Sequence, residues 1–268
     1  MRFSQQEMIT SPQNKKIKWV RSLQSDSRAR RESRACVVEG VRMAEEVISC
    51  GIRPLLALHT SELTSRAESA LDTLVGAGTE IEAVSPRIML AASDTQTPQG
   101  LLLVLPIQPP TLAEELSFIL ILDGVRDPGN LGTILRTAAA AGTEAVFITP
   151  GSADPYAPKV LRAGMGAHFR LHVACLDWAE IMKKTARLKP VLASPHAGKP
   201  YYRLNLAVPL ALIIGGEADG AGSQARNYAY ERVHIPMAGE MESLNAAAAA
   251  AVLIFEVIRQ RGSKSQKK

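Results

Sequence analysis

The sequence predicts an α/β fold arranged in two domains, and two observations carry that prediction. Short apolar segments typical of buried strands, such as FILIL at 118–122, alternate with segments of helical periodicity. Fully apolar strands of this kind occur in parallel sheets whose two faces are covered by helices. The alternation is interrupted at 108–117, where Pro109 and Pro110 favour extended backbone. We therefore expect domains at 1–107 and 118–268, joined by that linker.

Each domain is expected to alternate strands with helices. In the first domain, strands are expected at 36–38, 54–59, 81–84 and 101–105, and helices at 41–50, 62–76 and 86–92. In the second, strands are expected at 118–122, 145–149, 169–174, 191–193, 210–214 and 233–235, and helices at 130–141, 158–163 and 177–187. A last helix begins with six alanines, 246–251, whose lack of bulk indicates that something lies very close to its backbone. The first domain is then a small α/β/α layer and the second a doubly wound sheet, with its ligand site at the carboxyl ends of the strands.

Basic residues are concentrated at the two ends of the chain. Residues 1–34 contain nine Lys or Arg against three Asp or Glu, and residues 259–268 contain five basic residues and no acid. Two interpretations stay open: contact with a polyanion, most simply a nucleic acid, or solvated termini. The candidate nucleic-acid-binding residues share the first basic segment: Lys15, Lys16, Lys18, Arg21, Arg28, Arg30 and Arg31.

Several function classes are disfavoured by the composition. No apolar run approaches the roughly 20 residues of a membrane span, and the N-terminal segment lacks the apolar core of a secretory signal. Cys36, Cys50 and Cys175 are odd in number and far apart, as expected of reduced thiols in a cytoplasmic protein. His168, His172 and Cys175 have no fourth ligand at zinc-site spacing, so no metal is expected.

Three loops that follow apolar strands are rich in Gly, Asn and charged residues: 123–142, 215–222 and 235–245. Because loops at the carboxyl ends of parallel strands meet at one edge of a sheet, we expect them to form one composite site.

The first of these loops leads into a helix with an unusual start. Asn130 is a candidate helix cap, and Arg136 falls on the same helix face as Gly129 and Gly132. A guanidinium beside a bare helix start can hold a phosphate or another anion. The alternative is an ordinary surface arginine.

The other two loops supply three further candidates. Glu217 follows a strand and two glycines, which allow a ligand to approach the backbone, whereas the alternative is an acid at a helix start. Ser243 is expected to be the N-cap of the alanine helix. Asn245 is then expected just inside that helix, where Asn is a poor helix former, which favours a function for its side chain.

Three patterns occur in these loops in a fixed order. The first comprises Asn130, Gly132, Arg136 and Gly142. The second is an apolar strand that runs into Gly-x-Glu-x-x-Gly at 213–220, and the third is Ile-Pro-Met-x-Gly followed by Ser-Leu-Asn at 235–245. Together they resemble the motifs of the SpoU (TrmH-like) family of RNA ribose 2′-O-methyltransferases. The first domain is similar to the family's substrate-binding domain, which resembles ribosomal protein L30e, at 11–14, 38–40 and 93–100.

The resemblance implies a deep trefoil knot in the second domain, with S-adenosylmethionine bound in it. A knot would explain the alanine helix, because a helix at a threading point must be thin. The residues assigned to the cofactor are Gly215, Ile235, Leu244, Met237 and Gly239. The resemblance also implies a homodimer with the site near its interface.

The implied reaction is attack of a ribose 2′-hydroxyl on a methyl group, with catalytic residues Arg136, Asn130, Glu217, Ser243 and Asn245. A hydroxyl is a poor nucleophile unless its proton is removed. Arg136 is the family's candidate base, but a guanidinium stays protonated. We hypothesise that Arg136 holds the substrate phosphate and stabilises the developing alkoxide. Glu217 would orient Arg136 or the hydroxyl, and the remaining three residues would position the ribose.

The substrate and the activity leave alternatives. The two-domain form favours ribosomal RNA, most simply 23S, over transfer RNA. A non-catalytic RNA-binding or ribosome-assembly factor on the same fold is disfavoured because the motif residues are retained. A nucleotide-binding enzyme of ordinary Rossmann type is disfavoured because Gly164, Met165 and Gly166 form only a fragment of the dinucleotide fingerprint.

Overall fold

The computed structural model describes residues 8–195, 197–217 and 220–265. The chain divides into two compact units. The first comprises Met1–Gln108 and Tyr156–Phe169, and the second comprises Pro109–Pro155 and Arg170–Lys268. Both are mixed α/β, so the predicted fold class is confirmed. Across the described residues, no helix combines the length and the apolar character needed to cross a bilayer.

The first half of the chain forms a four-stranded sheet with helices on both faces. Its elements are β1 (Ala35–Glu39), β2 (Leu56–His59), β3 (Ile81–Ala83), β4 (Leu101–Pro106), α1 (Lys15–Ser25), α2 (Ser27–Ser33), α3 (Val41–Ser49), α4 (Ser65–Gly76) and α5 (Pro86–Ala92). The strand order is β1-β4-β2-β3, and β4 runs antiparallel to both neighbours. Leu103 packs with residues of α3 and α4, whereas Leu102 packs with residues of α1 and α5. Both faces of β4 are therefore buried, which is why its sequence is apolar throughout.

The second half of the chain forms a parallel sheet of seven strands. Its elements are β5 (Phe118–Asp123), β6 (Ala145–Ile148), β7 (His172–Cys175), β8 (Lys189–Ala193), β9 (Lys199–Pro200), β10 (Leu210–Gly215), β11 (Glu231–His234), α6 (Pro128–Ala140), α7 (Pro158–Gly164), α8 (Trp178–Lys184), α9 (Ser223–Tyr228) and α10 (Ala246–Ser265). The strand order is β7-β6-β5-β10-β8-β11-β9, and every neighbouring pair is parallel. Residues 118–122 and 210–214 are at most 2% exposed, so β5 and β10 form the centre of the core.

The differences from the predicted elements lie mainly at element ends. The second sheet has a seventh strand, β9, that the sequence did not predict. It consists of two residues and lies at the edge of the sheet. Pro200 is tolerated there although it has no N–H to donate. The strand expected at 169–174 begins only at His172, because Ala167–Phe169 forms a 3₁₀ turn. The strand expected at 233–235 spans Glu231–His234.

One segment of the second half belongs to the first unit. Tyr156–Phe169, which contains α7, groups with the residues that precede the linker. Leu161 of α7 is 2% exposed in the core under α3 and α4, and Tyr156 and Phe169 pack against that core. The sequence-based division assigns this segment to the second domain, because a short helix gives no signal of the core that it joins.

The alanine helix α10 packs against α6. Ala247 and Ala250 are 6% and 0% exposed, whereas Ala248 is exposed. Helix α6 also buries small residues, among them Gly132 and Ala138. Small residues at a helix contact allow the two axes to approach closely. One side of the alanine run thus lies against another helix, as the absence of bulk predicts, and its other side is open.

Candidate active site

The three loops singled out in the sequence leave the second sheet at one edge. Asp123, the last residue of β5, is paired with Gly215, the last residue of β10. Strand β11 runs parallel to both through β8. The loops that follow these strands therefore begin at the carboxyl edge of the sheet, where α/β proteins bind their ligands.

One residue from each loop takes part in a continuous chain of hydrogen bonds. The Nδ2 atom of Asn130 donates to Oε1 of Glu217 at 2.6 Å. The Nδ2 atom of Asn245 donates to Oδ1 of Asn130 at 3.0 Å. Glu217 and Asn245 are exposed and Asn130 is half-buried, so the cluster is open to a ligand. Three of the five predicted catalytic residues are brought together in this way.

The backbone of α10 determines which group donates and which accepts in each of these hydrogen bonds. Oδ1 of Asn245 accepts hydrogen bonds from the N–H groups of Ala247 at 2.9 Å and Ala248 at 3.3 Å. An amide whose oxygen is engaged by N–H groups can offer only its NH₂ group to a neighbour. Asn130 must therefore turn its oxygen towards Asn245 and its NH₂ group towards Glu217. A carboxylate, which only accepts, completes the series.

Asn245, and not Ser243, is the N-cap of α10. The helix begins at Ala246, and the carbonyl oxygen of Asn245 accepts from the Ala249 N–H at 2.9 Å. Ser243 is exposed and makes no hydrogen bond to the described residues. The prediction that Asn245 lies inside the helix is wrong, because Asn caps at least as well as Ser and stands next to the first helical alanine.

Asp127, and not Asn130, is the N-cap of α6. Its Oδ1 atom accepts the Asn130 N–H at 2.7 Å, and Pro128 occupies the first helical position. Proline fits there because it has no N–H to satisfy. The sequence signal for this start, Asp followed by Pro, was available and missed. Since Asp127 supplies the cap, the side chain of Asn130 can engage Glu217 and Asn245.

Two helix N-termini meet at the cluster. Asn130 lies in the first turn of α6, and α10 begins directly after Asn245. The first turn of a helix carries about half a positive charge and favours a nearby anion. The Glu217 carboxylate is held in this field, and a phosphate or a carboxylate of a ligand would be stabilised by it as well.

Arg136 is placed on α6 and is exposed. Within the described chain it has no hydrogen-bond or ion-pair partner. Glu217 contacts Asn130. Among the described residues no hydrogen bond or ion pair joins Glu217 to Arg136, so the orientation of Arg136 by Glu217 is not seen. The Arg136 guanidinium keeps all its donors for a ligand.

The two glycines before Glu217 are required by the protein itself. A Cβ atom at Gly215 would collide with the backbone of Gly220 and Ala221, and one at Gly216 would collide with the carbonyl oxygen of Gly124. On the side where a Cβ atom would lie, both glycines are therefore packed against backbone.

The residues that the resemblance assigns to a cofactor lie along the same edge. Gly215 ends β10, and Ile235 follows β11 directly. Ile235 and Met237 are half-buried, Gly239 is exposed, and Leu244 is 40% exposed. Nδ1 of His234 is buried and has no hydrogen-bond partner among the described residues.

The predicted nucleic-acid-binding residues divide into two groups. Lys15, Lys18, Arg21, Arg28 and Arg31 are exposed on α1 and α2. Lys16 is held by Glu80 at 2.6 Å and by Glu82, and these hydrogen bonds raise the pKa of its ammonium group. Arg30 is only 5% exposed and donates to the carbonyl oxygen of Leu23 at 2.6 Å. The prediction for Arg30 is therefore corrected: its guanidinium closes the end of α1, and helical periodicity alone did not reveal that it turns inward.

The histidines considered for a metal have other neighbours. Nδ1 of His172 lies 2.6 Å from the carbonyl oxygen of Pro110, and the His168 ring packs on Tyr156. In the described ranges there is no group of three or more His, Cys, Asp or Glu side chains that could hold a metal ion.

Comparisons with known proteins agree on one kind of enzyme. The family model described as the SpoU rRNA Methylase family matches residues 117–255, and the model described as the MRM3-like substrate binding domain matches residues 14–103. The chain is 30% identical to the 23S rRNA (guanosine(2553)-2′-O)-methyltransferase RlmP of Bacillus subtilis, over 94% of this chain and 99% of that relative. It is 34% identical to the mitochondrial rRNA methyltransferase 3A of Danio rerio, over 87% of this chain and 66% of that relative.

Two solved structures extend the likeness to the whole fold. The SpoU methyltransferase AviRb of Streptomyces viridochromogenes, in complex with AdoMet, has a TM-score of 0.86 at 27% identity and covers 93% of this chain and 99% of its own. An AdoMet-bound rRNA methyltransferase from Sinorhizobium meliloti has a TM-score of 0.83 at 26% identity and covers 94% of this chain and 97% of its own.

The cap assignment predicts different effects for two neighbouring substitutions. Asn245→Ala should lower the free energy of unfolding by about 1 kcal/mol, because it removes an N-cap. Ser243→Ala should leave it unchanged within about 0.5 kcal/mol, as an exposed substitution without partners does. Thermal unfolding of the two variants and of Asn245→Asp, which keeps a capping oxygen, checks this. Equal destabilisation by Ser243→Ala and Asn245→Ala would contradict it.

Proposed function

We propose that this chain, which belongs to the SpoU rRNA methylase family, transfers a methyl group from S-adenosylmethionine to a ribose 2′-hydroxyl of 23S ribosomal RNA. The observation that carries the proposal is the hydrogen-bond chain of Asn245, Asn130 and Glu217 at the start of two helices. It joins the three loops whose motifs define the resemblance, and it leaves one carboxylate and one arginine open to a substrate.

The carboxyl edge of the second sheet fits S-adenosylmethionine. Ile235, Met237 and Leu244 would offer apolar surface to it, and the backbone of Gly215 and Gly239 would complete the site. Bound there, the cofactor supplies an electrophilic methyl group. AviRb and the Sinorhizobium meliloti enzyme, which have the same fold, were both crystallised with AdoMet.

The chain's own task is to hold the ribose hydroxyl and to take up its proton. Glu217 is fixed by Asn130 through one carboxylate oxygen, and its other oxygen accepts the hydroxyl hydrogen bond and then the proton. Arg136 binds the adjacent phosphate and stabilises the negative charge that develops on the 2′-oxygen. Asn245 holds Asn130, and Ser243 contacts the ribose from the loop. In this scheme Arg136 stays protonated throughout.

The substrate assignment rests on both halves of the chain. The relatives from Bacillus subtilis and Danio rerio are named as rRNA methyltransferases, and the former acts on 23S rRNA. The first unit matches a substrate-binding domain and exposes five cations on α1 and α2. A 2′-hydroxyl exists only in RNA, which excludes DNA as the acceptor.

Methyl transfer to RNA tests the proposed function directly. The protein is incubated with methyl-labelled S-adenosylmethionine and with 23S rRNA or transfer RNA from cells that lack it. We expect label in 23S rRNA, recovered in an alkali-resistant dinucleotide, because 2′-O-methylation removes the hydroxyl that alkaline cleavage needs. Arg136→Ala should lower kcat roughly 10²- to 10³-fold, as the loss of one charge-stabilising donor does.

Two control variants sharpen this test. Arg136→Lys should also lose most of its turnover, because an ammonium group lacks the paired donors of the guanidinium fork. Arg187→Ala, which alters another exposed arginine of the second unit, should keep full turnover. Label in transfer RNA or in a base contradicts the substrate assignment. RNA binding without methyl transfer indicates a non-catalytic binding factor.

We also propose that the exposed basic residues of α1 bind the RNA backbone. Lys15, Lys18 and Arg21 lie on successive turns of one helix, and all three are exposed. Replacing the three with Ala should weaken RNA binding. It should also reduce the magnitude of the slope of log K against log salt concentration by about 2–3, close to one unit per lost phosphate contact. Filter binding between low and physiological salt measures both quantities.

A matched control for this prediction is available in the second unit. Lys183, Lys184 and Arg187 are also exposed, and replacing them with Ala changes the net charge by the same amount. That variant should keep its affinity and its salt dependence. Equal losses in the two triple variants would mean that only net charge matters and would refute a specific role for α1.

We further propose a homodimer formed through α10. This helix exposes an apolar row of Ala248, Val252 and Phe255, of which the last two are 37% and 51% exposed. The preceding loop adds Leu244 and Met241, exposed to 40% and 74%. A contiguous exposed apolar patch is typical of an interaction surface, and one helix paired with its own copy satisfies two-fold symmetry.

A charge in this row should separate the subunits. Phe255→Asp is expected to convert a dimer into a monomer, because a carboxylate buried without a partner is costly. Leu90→Asp places the same charge at a residue of α5 that is 52% exposed and should leave the dimer intact. Sedimentation equilibrium measures the mass. A monomeric parent protein, or a Phe255→Asp dimer, would refute the proposal.

A further inference from the structure

Asp123 is a buried acid at the carboxyl end of the central strand β5, and the mechanism above gives it no role. It is 7% exposed. Its Oδ1 atom accepts the hydroxyl hydrogen of Thr149 at 2.9 Å, and its Oδ2 atom accepts the N–H of Gly222 at 2.6 Å. A buried carboxylate disfavours folding unless its oxygens are hydrogen-bonded, and each oxygen of Asp123 has a donor.

The contacts of Asp123 hold both ends of one loop. Its carbonyl oxygen accepts the Gly216 N–H at 2.9 Å, at the point where the loop leaves β10. Its side chain holds the N–H of Gly222, where the loop enters α9. Backbone and side chain of a single residue thus fix the beginning and the end of the segment 216–222.

Glu217 lies one residue beyond the first of these two anchors. The space around the anchor is filled, because a Cβ atom at Gly216 would collide with the carbonyl oxygen of Gly124. On its other side, Glu217 is held by Asn130 at 2.6 Å. The position of its carboxylate is therefore set by a side-chain contact from α6 and by the backbone at Gly216, which Asp123 holds.

We propose that Asp123 is a positioning residue that acts through Glu217. Asp123 holds Gly216 and Gly222 together. It thereby keeps the Glu217 carboxylate in the position where it contacts Asn130 and would contact the substrate hydroxyl. Misplacement of a catalytic group by about 1 Å is enough to lower a rate on the order of 10²-fold. This inference rests on the role proposed above for Glu217.

The test compares turnover of the full-length chain in variants of each partner. Asp123→Ala should lower kcat roughly 10- to 100-fold, with little change in the KM values for RNA and S-adenosylmethionine. Thr149→Val removes the other hydrogen bond to the same carboxylate and should lower only the melting temperature. Asp123→Asn can still accept from Gly222 and donate to Thr149, so it should recover most of the lost turnover.

A second pair of variants breaks the contact from the loop side and keeps Asp123. Gly222 has φ −67°, which proline adopts without strain, so Gly222→Pro removes the N–H donor while the backbone angle is kept. Gly222→Ala keeps the donor. Both variants add a Cβ atom that would lie 3.2 Å from Oδ2 of Asp123, so Gly222→Ala controls for that contact. We expect Gly222→Pro to lower kcat as Asp123→Ala does, and Gly222→Ala to lower it much less. If Asp123→Ala fails to fold, this pair still shows whether the contact between Asp123 and Gly222 affects kcat.

A double-mutant cycle decides whether the effect passes through Glu217. If it does, Asp123→Ala combined with Glu217→Ala should have the kcat of Glu217→Ala alone. Effects on kcat that multiply, or a Thr149→Val loss as large as that of Asp123→Ala, would overturn the proposal. An inactive parent protein would refute the proposed function instead, and an unimpaired Glu217→Ala enzyme would refute the role of Glu217.

Discussion

The side-chain amide of Asn245 is the contact on which the arrangement of the site depends. The first N–H groups of α10 have no helical partner, and the amide oxygen of Asn245 satisfies two of them. The NH₂ group of Asn245 must therefore face Asn130 and donate to its amide oxygen. This leaves the NH₂ group of Asn130 to donate to Glu217. A requirement of helix formation thereby orients a carboxylate that comes from a different loop.

The buried sheet beneath the site supports this arrangement. The strands β5 and β10 are buried almost completely and in register, so Asp123 and Gly215 end side by side. Glycines at 124 and 216 let the two strand ends touch where side chains would hold them apart. The side chains of Glu217 and Asn245 are exposed, yet Ile214 and Ala247, only two or three residues away, are buried. Such a division between open side chains and a packed support is what precise positioning requires.

The sequence was sufficient for features that repeat along the chain and insufficient for those that depend on a single contact. Strand and helix alternation located nearly every element, because burial of whole strands leaves uninterrupted apolar runs, and motif spacing located Asn130, Glu217 and Asn245. The caps were misassigned at both helices. Ser243 and Asn245 are equally suitable by type and only the local turn decides between them, whereas Asp127 followed by Pro128 is a local signal for the start of α6. Arg30 belongs to a basic run and yet turns inward, because the carbonyl groups at the end of α1 need a donor. The close contact of Gly216 with Gly124 joins residues far apart in sequence, which no local pattern reveals.

The return of Tyr156–Phe169 to the first unit has a consequence for how the chain is made. During synthesis the residues before the linker emerge first, and domains usually fold in that order. Here the core under α3 and α4 lacks Leu161 until the ribosome has passed β6 and α7. The first unit therefore cannot reach its final packing while it is the only part of the chain outside the ribosome. Its completion waits for a helix encoded within the other half of the chain.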